Sequence, residues 1–316
     1  MLWPAHTTPS LEFGRWLRRP DLRRHFKTSP ERASPMTMRN AGSSSRRAVA
    51  AICGVVAVFC VAAIASAHDM FLRAERFLVA PESEVVIRLL NGTFLQSENA
   101  IVRARVRDAS VSAGRARIPV NMDTWTEAGD TTTFRVRVGA AGTYAVGVST
   151  TPSLIELSAA DFNAYLKEDG VPDILADRGR KKELEMPARE RYHKHVKALL
   201  QVGDTPGPGY ATVFGYPAEI IPLDNPYVLR RGGTMRVRAI VNRKPVANQY
   251  ILFGGRDVNG APIPERSVRA GADGSARFAL NTAGEWYVKF IHMTRVTADT
   301  VDYESKWATL TFAVRQ

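Results

Sequence analysis

Thr133-Phe134-Arg135-Val136-Arg137-Val138, then Gly139-Ala140-Ala141-Gly142, then Thr143-Tyr144-Ala145-Val146-Gly147-Val148 is the stretch that decides the fold. Apolar and charged residues alternate through the first six positions, which is the period of a half-buried strand. The glycine-bounded segment turns the chain into a second strand-like run. Toward the N-terminus, Ile101 to Arg107 alternates in the same way and Arg115 to Val120 does so more weakly. Glu84-Val85-Val86-Ile87-Arg88-Leu89-Leu90 is β-branched and apolar and ends at the turn pair Asn91-Gly92. Short strands at this spacing predict an immunoglobulin-like β-sandwich over residues 68–150, its arginines on the solvated side of the sheet.

Beyond Thr150 the period changes. Ser158 followed by Asp161 forms a capping-box-like start, and Phe162, Tyr165 and Leu166 follow at helical spacing. Pro187 suits the first position of a second helix, with Tyr192, Val196, Leu199 and Leu200 on one face and Gly203 as its stop. Residues 151–218 are therefore expected to be a helical insert with a Pro/Gly loop at Thr205 to Gly209. Strand patterns return in Glu219 to Leu223, Thr234 to Val241, Gln249 to Phe253, Ala276 to Leu280, Gly284 to His292 and Trp307 to Val314. They predict a second sandwich over residues 219–316. The fold class is thus all-β: two immunoglobulin-like β-sandwich domains with a helical insert between them.

The N-terminus reads as an export signal. An apolar run from Ala48 to Ile64 follows Arg39, Arg46 and Arg47 and leads to Ala65-Ser66-Ala67, a pattern that predicts cleavage between Ala67 and His68. Residues 36–67 are expected to be the signal peptide, with translation starting at Met36 or Met38, and residues 1–35 read as a gene-model extension or a disordered stretch. The alternative, an uncleaved anchor, would have an apolar run of about seventeen residues, at the short limit for a bilayer. The expected localisation is periplasmic, or otherwise exported.

Processing changes what composition implies. The formal charge of +12 on 316 residues falls once the leader is removed, because ten of the 43 Lys/Arg and three of the 31 Asp/Glu precede His68. The remaining 249 residues carry 33 basic against 28 acidic side chains, a net +5 that gives no reason to expect nucleic acid as a partner. Cys53 and Cys60 both lie in the apolar run, so the mature chain has no thiol, and any metal must be held by nitrogen and oxygen. No Gly-rich phosphate loop, nucleophile elbow or His-Glu-x-x-His run is present.

Cleavage after Ala67 would expose His68 with a free α-amine beside its imidazole, two nitrogens able to chelate one borderline metal. The competing reading is that an exposed terminal histidine does nothing. His193-Lys194-His195 would share a face on a strand but point about 200° apart on the expected helix, so a local two-histidine site is rejected and solvent exposure expected. His292 falls in phase with Trp286, Val288 and Phe290, near a strand end. The competing reading there is a core histidine bonded to a backbone carbonyl.

Glu219-Ile220-Ile221-Pro222-Leu223-Asp224-Asn225-Pro226-Tyr227 resembles a family of bacterial exported proteins described as periplasmic components associated with nickel and cobalt uptake. So do Gly284-Glu285-Trp286-Tyr287 with Ile291-His292-Met293, the close from Asp302 to Phe312, the start His68-Asp69-Met70-Phe71-Leu72, and Glu190-Arg191-Tyr192 with Lys194 and Lys197 to Gly203. The resemblance covers nearly the whole mature chain and implies a divalent transition metal, nickel, cobalt or copper, with a membrane permease component as partner. Its candidate ligands carry over to His68 and His292, and Asp69, Asp302 or Glu304 would add an oxygen or orient a ring. The expected metal set is His68, His292, Asp69 and Glu304, in a carrier or accessory protein rather than an enzyme. Two alternatives are a copper histidine-brace oxidative enzyme using the same nitrogens, and a metal-free structural or adhesion β-sandwich module.

Overall fold

Where the sequence alternates, strands form in the computed structural model, which describes residues 68–114, 116–297 and 300–316. The extension, the signal segment and its cleavage site concern residues 1–67, which lie outside those described. The first region gives β1 (Asp69–Ala74), β2 (Leu78–Val79), β3 (Glu84–Gly92), β4 (Val106–Ser112), β5 (Arg117–Pro119), β6 (Thr126–Ala128), β7 (Thr131–Arg137) and β8 (Gly142–Thr150). Next come β9 (Ser153–Leu157), the helices α1 (Ala159–Glu168) and α2 (Pro172–Arg180), and β10 (Ala188–Val202). The last region holds β11 (Ala218–Pro222), β12 (Thr234–Val241), β13 (Lys244–Pro245), β14 (Tyr250–Asp257), β15 (Pro262–Arg269), β16 (Ser275–Ala279), β17 (Gly284–Arg295) and β18 (Tyr303–Val314). The protein is an all-β sandwich fold with a small helical insert.

The two sandwiches share a sheet. One small sheet runs β1-β3-β7-β6 and another β11-β12-β13 with β16 beside β12. Between them a ten-stranded sheet runs β15-β14-β17-β18-β10-β8-β4-β5, with β2 and β9 also on β10. The join is the parallel pairing of β10 with β18, from Glu190 opposite Tyr303 to Ala198 opposite Thr311.

Register sorts the side chains of this sheet onto two faces. Lys194 lies opposite Trp307, which lies opposite Ile291; His193 lies opposite Lys306, which lies opposite His292. Partners in register point to one side and successive residues to opposite sides, so the Lys194 row defines a front and the His193 row a back. The β1-β3-β7-β6 sheet covers the front through a core that includes Leu72, Ile87, Phe134, Val146 and Val196. On the back lies the β11-β12-β16 layer, with Ile220, Val237, Phe278, Val288 and Leu310. Each such fully buried side chain contributes about 1.5–3 kcal/mol relative to exposure.

The helical insert is shorter than expected. α1 starts as predicted, Ser158 Oγ accepting from the Asp161 backbone N–H, and its Phe162, Tyr165 and Leu166 pack on the front against Ile291, Tyr303 and Trp307. The second helix expected from Pro187 to Val202 does not exist: that segment is β10, the strand that joins the two halves. Leu199 and Leu200 are both buried because β10 has a packed core on each face, so its apolar run lacks alternation and imitates a helical face. Pairing on both edges overrides the helix propensity of its Lys, Ala and Leu.

Candidate functional site

The four expected ligands divide between the two faces. His68, the first described residue, sits on the front, in a cleft lined by Asn91, Glu190, Tyr192, Lys194 and Trp307. His292 sits on the back, in register with Lys306 and His193. The sheet backbone separates the two rings. Asp69 joins His68 on the front, whereas Glu304 joins the back, its Oε1 accepting from Lys306 Nζ at 2.8 Å and lying 4.0 Å from His193 Nε2. His292 is held by a side chain, not a backbone carbonyl: its Nδ1 lies 3.1 Å from Gln249 Oε1. Burial, with Lys306 nearby, holds its imidazole below the ordinary histidine range.

The front site is built by β1 lying across β10 and β18. Asp69 pairs with Gly92 and Met70 with Asn91, while Thr309 donates to the Met70 carbonyl at 2.9 Å. Lys194 reaches up from β10 and donates to the His68 carbonyl and, at 3.1 Å, to Asn91 Oδ1. The His68 ring is mostly covered, and its Nε2 lies 3.3 Å from Glu98 Oε2. A carboxylate at Nε2 favours the tautomer with the proton there, which leaves Nδ1, the ring nitrogen nearer the backbone, as a lone-pair donor.

Beneath His68 lies a buried charge cluster. Lys289 Nζ donates to Asp69 Oδ2 and approaches Glu265 Oε2 at 3.4 Å and Asp169 Oδ1 at 3.5 Å. Burial opposes the ammonium charge, but the three carboxylates outweigh it and hold Lys289 above its ordinary value. Burial, then the neighbouring Asp69 charge, pushes Asp169 up to about 7. Burial lowers Lys194 to about 8 against the pull of Asp69 and Asp169. Asp69 Oδ1 and Glu190 Oε2 are buried acceptors with no hydrogen-bond partner among the described residues.

These atoms set what a metal would require. No group of three or more His, Cys, Asp or Glu among the described residues could hold a metal ion by side chains alone. A cation at the front would need a donor beyond these side chains, of the kind that cleavage before His68 would create as an α-amine beside Nδ1. The unpartnered Glu190 oxygen in the cleft, with the unpartnered Asp69 oxygen of the residue after His68, gives acceptor capacity that suits a positive group, the ammonium itself or a metal.

The back carries what the helix expectation concealed. His193 and His195 lie on a strand, share its face, and are 7% and 2% exposed, so neither is the solvent-facing residue expected. Their ring centroids are 4.7 Å apart at 79°. His195 Nδ1 lies 2.9 Å from Ser149 Oγ, while His193 Nδ1 and His195 Nε2 have no hydrogen-bond partner among the described residues. Burial, with Lys306 and Arg107 nearby, lowers His193 to about 4; burial and the neighbouring His193 lower His195 to about 2. Both are neutral at physiological pH. The two-residue spacing was the available signal, and it required the strand assignment to be read.

No curated protein matches the chain. Among solved structures, a DUF4785 family protein from Legionella pneumophila matches at 11% identity and a TM-score of 0.21, over 69% of this chain and 50% of that one. The Escherichia coli adhesin FdeC matches at 14% identity and a TM-score of 0.21, over 80% of this chain and 65% of that one. The chain spans less than two thirds of either protein, and at that TM-score neither likeness bears on fold or function. Residues 65–294, by contrast, match the family described as Domain of unknown function (DUF4198), a span that takes in every strand from β1 to β16 and most of β17. With well over half of its length matched, this chain belongs to the DUF4198 family.

Proposed function

We propose that this protein is an exported binder of a divalent transition metal, nickel, cobalt or copper, held at a mature N-terminus beginning with His68. The α-amine and Nδ1 of His68 form the chelate, and Glu98 orients the ring from Nε2. The observation that carries this reading is the His68 Nε2 to Glu98 Oε2 contact of 3.3 Å, together with the grip of Lys194 on the His68 carbonyl. A carboxylate on the far nitrogen of a ligating imidazole is the usual way such a ring is oriented. The family match begins at residue 65, beside the expected cleavage site.

Asp69 supplies the adjacent carboxylate, with Oδ1 unpartnered. His292 and Glu304 are left out of the set because they face the opposite side of the sheet. A copper brace would need a second imidazole, and the other described histidines, His193, His195 and His292, all lie on the back. The role that fits a two-nitrogen, exchangeable site is a carrier or accessory, with a permease component of nickel or cobalt uptake as its partner.

The test is calorimetric titration of nickel, cobalt, copper and zinc into protein beginning at His68 and into protein with one glycine added before it. The extended form converts the amine to an amide and should bind at least about tenfold more weakly, in line with the loss of one ligand. Equal binding by both forms, or binding by neither, would overturn the proposal. Affinity should also fall as pH drops from about 8 to 5, because both nitrogens must be deprotonated to coordinate.

A further inference from the structure

A second cleft, of about 450 Å³, opens on the back between β4, β5 and β8 on one side and the β12–β13 hairpin on the other. Its size is that of a small-molecule site. We propose that it binds a small oxyanion carrying two or more negative charges, through Arg107 and Arg243. This proposal is independent of the metal reading, since His68 lies on the other face.

Two separate departures from regular backbone bring these arginines to one place. On β4, Val106 lies opposite Thr150 and Asp108 opposite Ser149, so Arg107 is the extra residue of a β-bulge. Bulges redirect a side chain out of the regular alternation. On the other wall, Asn242 (φ 50°) and Arg243 (φ 65°) form a two-residue turn between β12 and β13, both in the left-handed region. Such turns favour Asn or Gly, and an arginine there costs about 1–2 kcal/mol. Strain of this kind, held at a cleft wall, points to a role for the side chain.

Neither arginine is neutralised. Asp108, the carboxylate of the cleft, is already taken: Arg117 forms an ion pair with it and the Tyr216 hydroxyl donates to it at 2.5 Å. Arg107 and Arg243 have no hydrogen bond or ion pair among the described residues, so the lining holds three guanidinium groups against one carboxylate. Paired guanidinium groups match carboxylate and phosphate oxygens in charge and fork geometry.

The floor is fixed in advance. Glu219 accepts from the backbone N–H groups of Phe214 at 3.0 Å, Gly215 at 2.7 Å and Tyr216 at 3.0 Å, and pairs with Lys197 at 3.0 Å. That bonding holds residues 214–216 against the cleft. Ser149 adds a hydroxyl whose oxygen lies 2.9 Å from His195 Nδ1. When the neutral ring carries its proton on Nδ1 it donates to Ser149, which frees the hydroxyl proton for an anion.

The experiment titrates the protein beginning at His68 with phosphate, sulfate and citrate, using acetate and chloride as monovalent controls. At least one multivalent anion should bind saturably, and which one does so separates an inorganic oxyanion from a polycarboxylate. Arg107→Ala and Arg243→Gly should each weaken binding by about tenfold or more, and Arg266→Ala, at an exposed site outside the cleft, should not. Arg243→Gly relieves the strained turn and should raise the melting temperature while it lowers affinity, which separates loss of a ligand from loss of fold. No saturable binding of any of the three, or unchanged binding in the Arg107/Arg243 double variant, would overturn the proposal.

Discussion

At Asp169, half-buried, and His193, buried, the protein carries titrating groups of opposite sign. Asp169 is raised to about 7 in the fold, so between about 4 and 7 the folded chain binds more protons than the unfolded one, and stability falls as pH rises through that window. His193 is lowered to about 4, so the unfolded chain binds more protons between 4 and 6.5, and its contribution is lost as pH falls through that window. The two effects oppose each other over about pH 4–6.5. Asp169→Asn should expose the histidine slope, with stability dropping by a few kcal/mol from pH 6.5 to 4. Replacing His193 and His195 together with Asn, since His195 is lowered further still and contributes the same slope, should remove most of the histidine slope, so that the loss over that descent shrinks or reverses as the aspartate slope shows. Chemical denaturation at a series of pH values reads both, and parallel profiles for the two variants would contradict the assignment. Lys289→Met would strand three carboxylates around an apolar group and should cost about 3–5 kcal/mol, measured the same way.

The element that matters most is β10, and it is also the one misread from sequence. The alternation of Thr133–Val138 and Thr234–Val241 is visible because each has one buried and one solvated side, and both segments are strands as expected. The Ser158 cap is visible because it is local chemistry. β10 has cores on both faces and partners on both edges, so nothing in its fifteen residues alternates across its whole length. The reading of His193 and His195 depended on that element and was inverted with it. The division of His68 from His292 was equally out of reach, because it depends on strand register between segments more than a hundred residues apart.

A prediction belongs to β10 itself. Lys197 and Glu219 form a fully buried ion pair that ties β10 to β11. Glu219→Ala leaves the ammonium uncompensated and frees three backbone N–H groups, and should cost about 3–5 kcal/mol. Lys197→Met combined with Glu219→Leu should restore part of that loss, since removing both charges is less costly than stranding one. Equal destabilisation by the single and double variants would contradict the pairing.

Across the whole molecule, two hydrophobic cores lie on opposite faces of one continuous sheet. Of the two strands that join the halves, β10 contributes to both cores, Leu199 to one and Val196, Ala198 and Leu200 to the other, while β18 gives Leu310 and Phe312 to the back core and pairs with β10 along its length. Neither half can lose its sheet without exposing the other's core, so calorimetry should show one cooperative transition and not the two expected of separate sandwiches. The same sheet isolates the His68 cleft from the arginine cleft, leaving the two sites chemically independent.

The metal claim at the N-terminus is tested most directly by thermal shift with nickel, cobalt, copper and zinc on chains beginning at residue 68. Three variants, His68→Ala, His292→Ala and the His193→Ala/His195→Ala pair, are compared with the unsubstituted chain. Metal at 100 times its dissociation constant should stabilise the unsubstituted chain by about 2.7 kcal/mol. That shift should vanish in His68→Ala and persist in the two back-face variants, whatever their own melting temperatures. A shift retained without the His68 ring, or lost with His292 or the His193/His195 pair, would place the metal elsewhere and contradict the account.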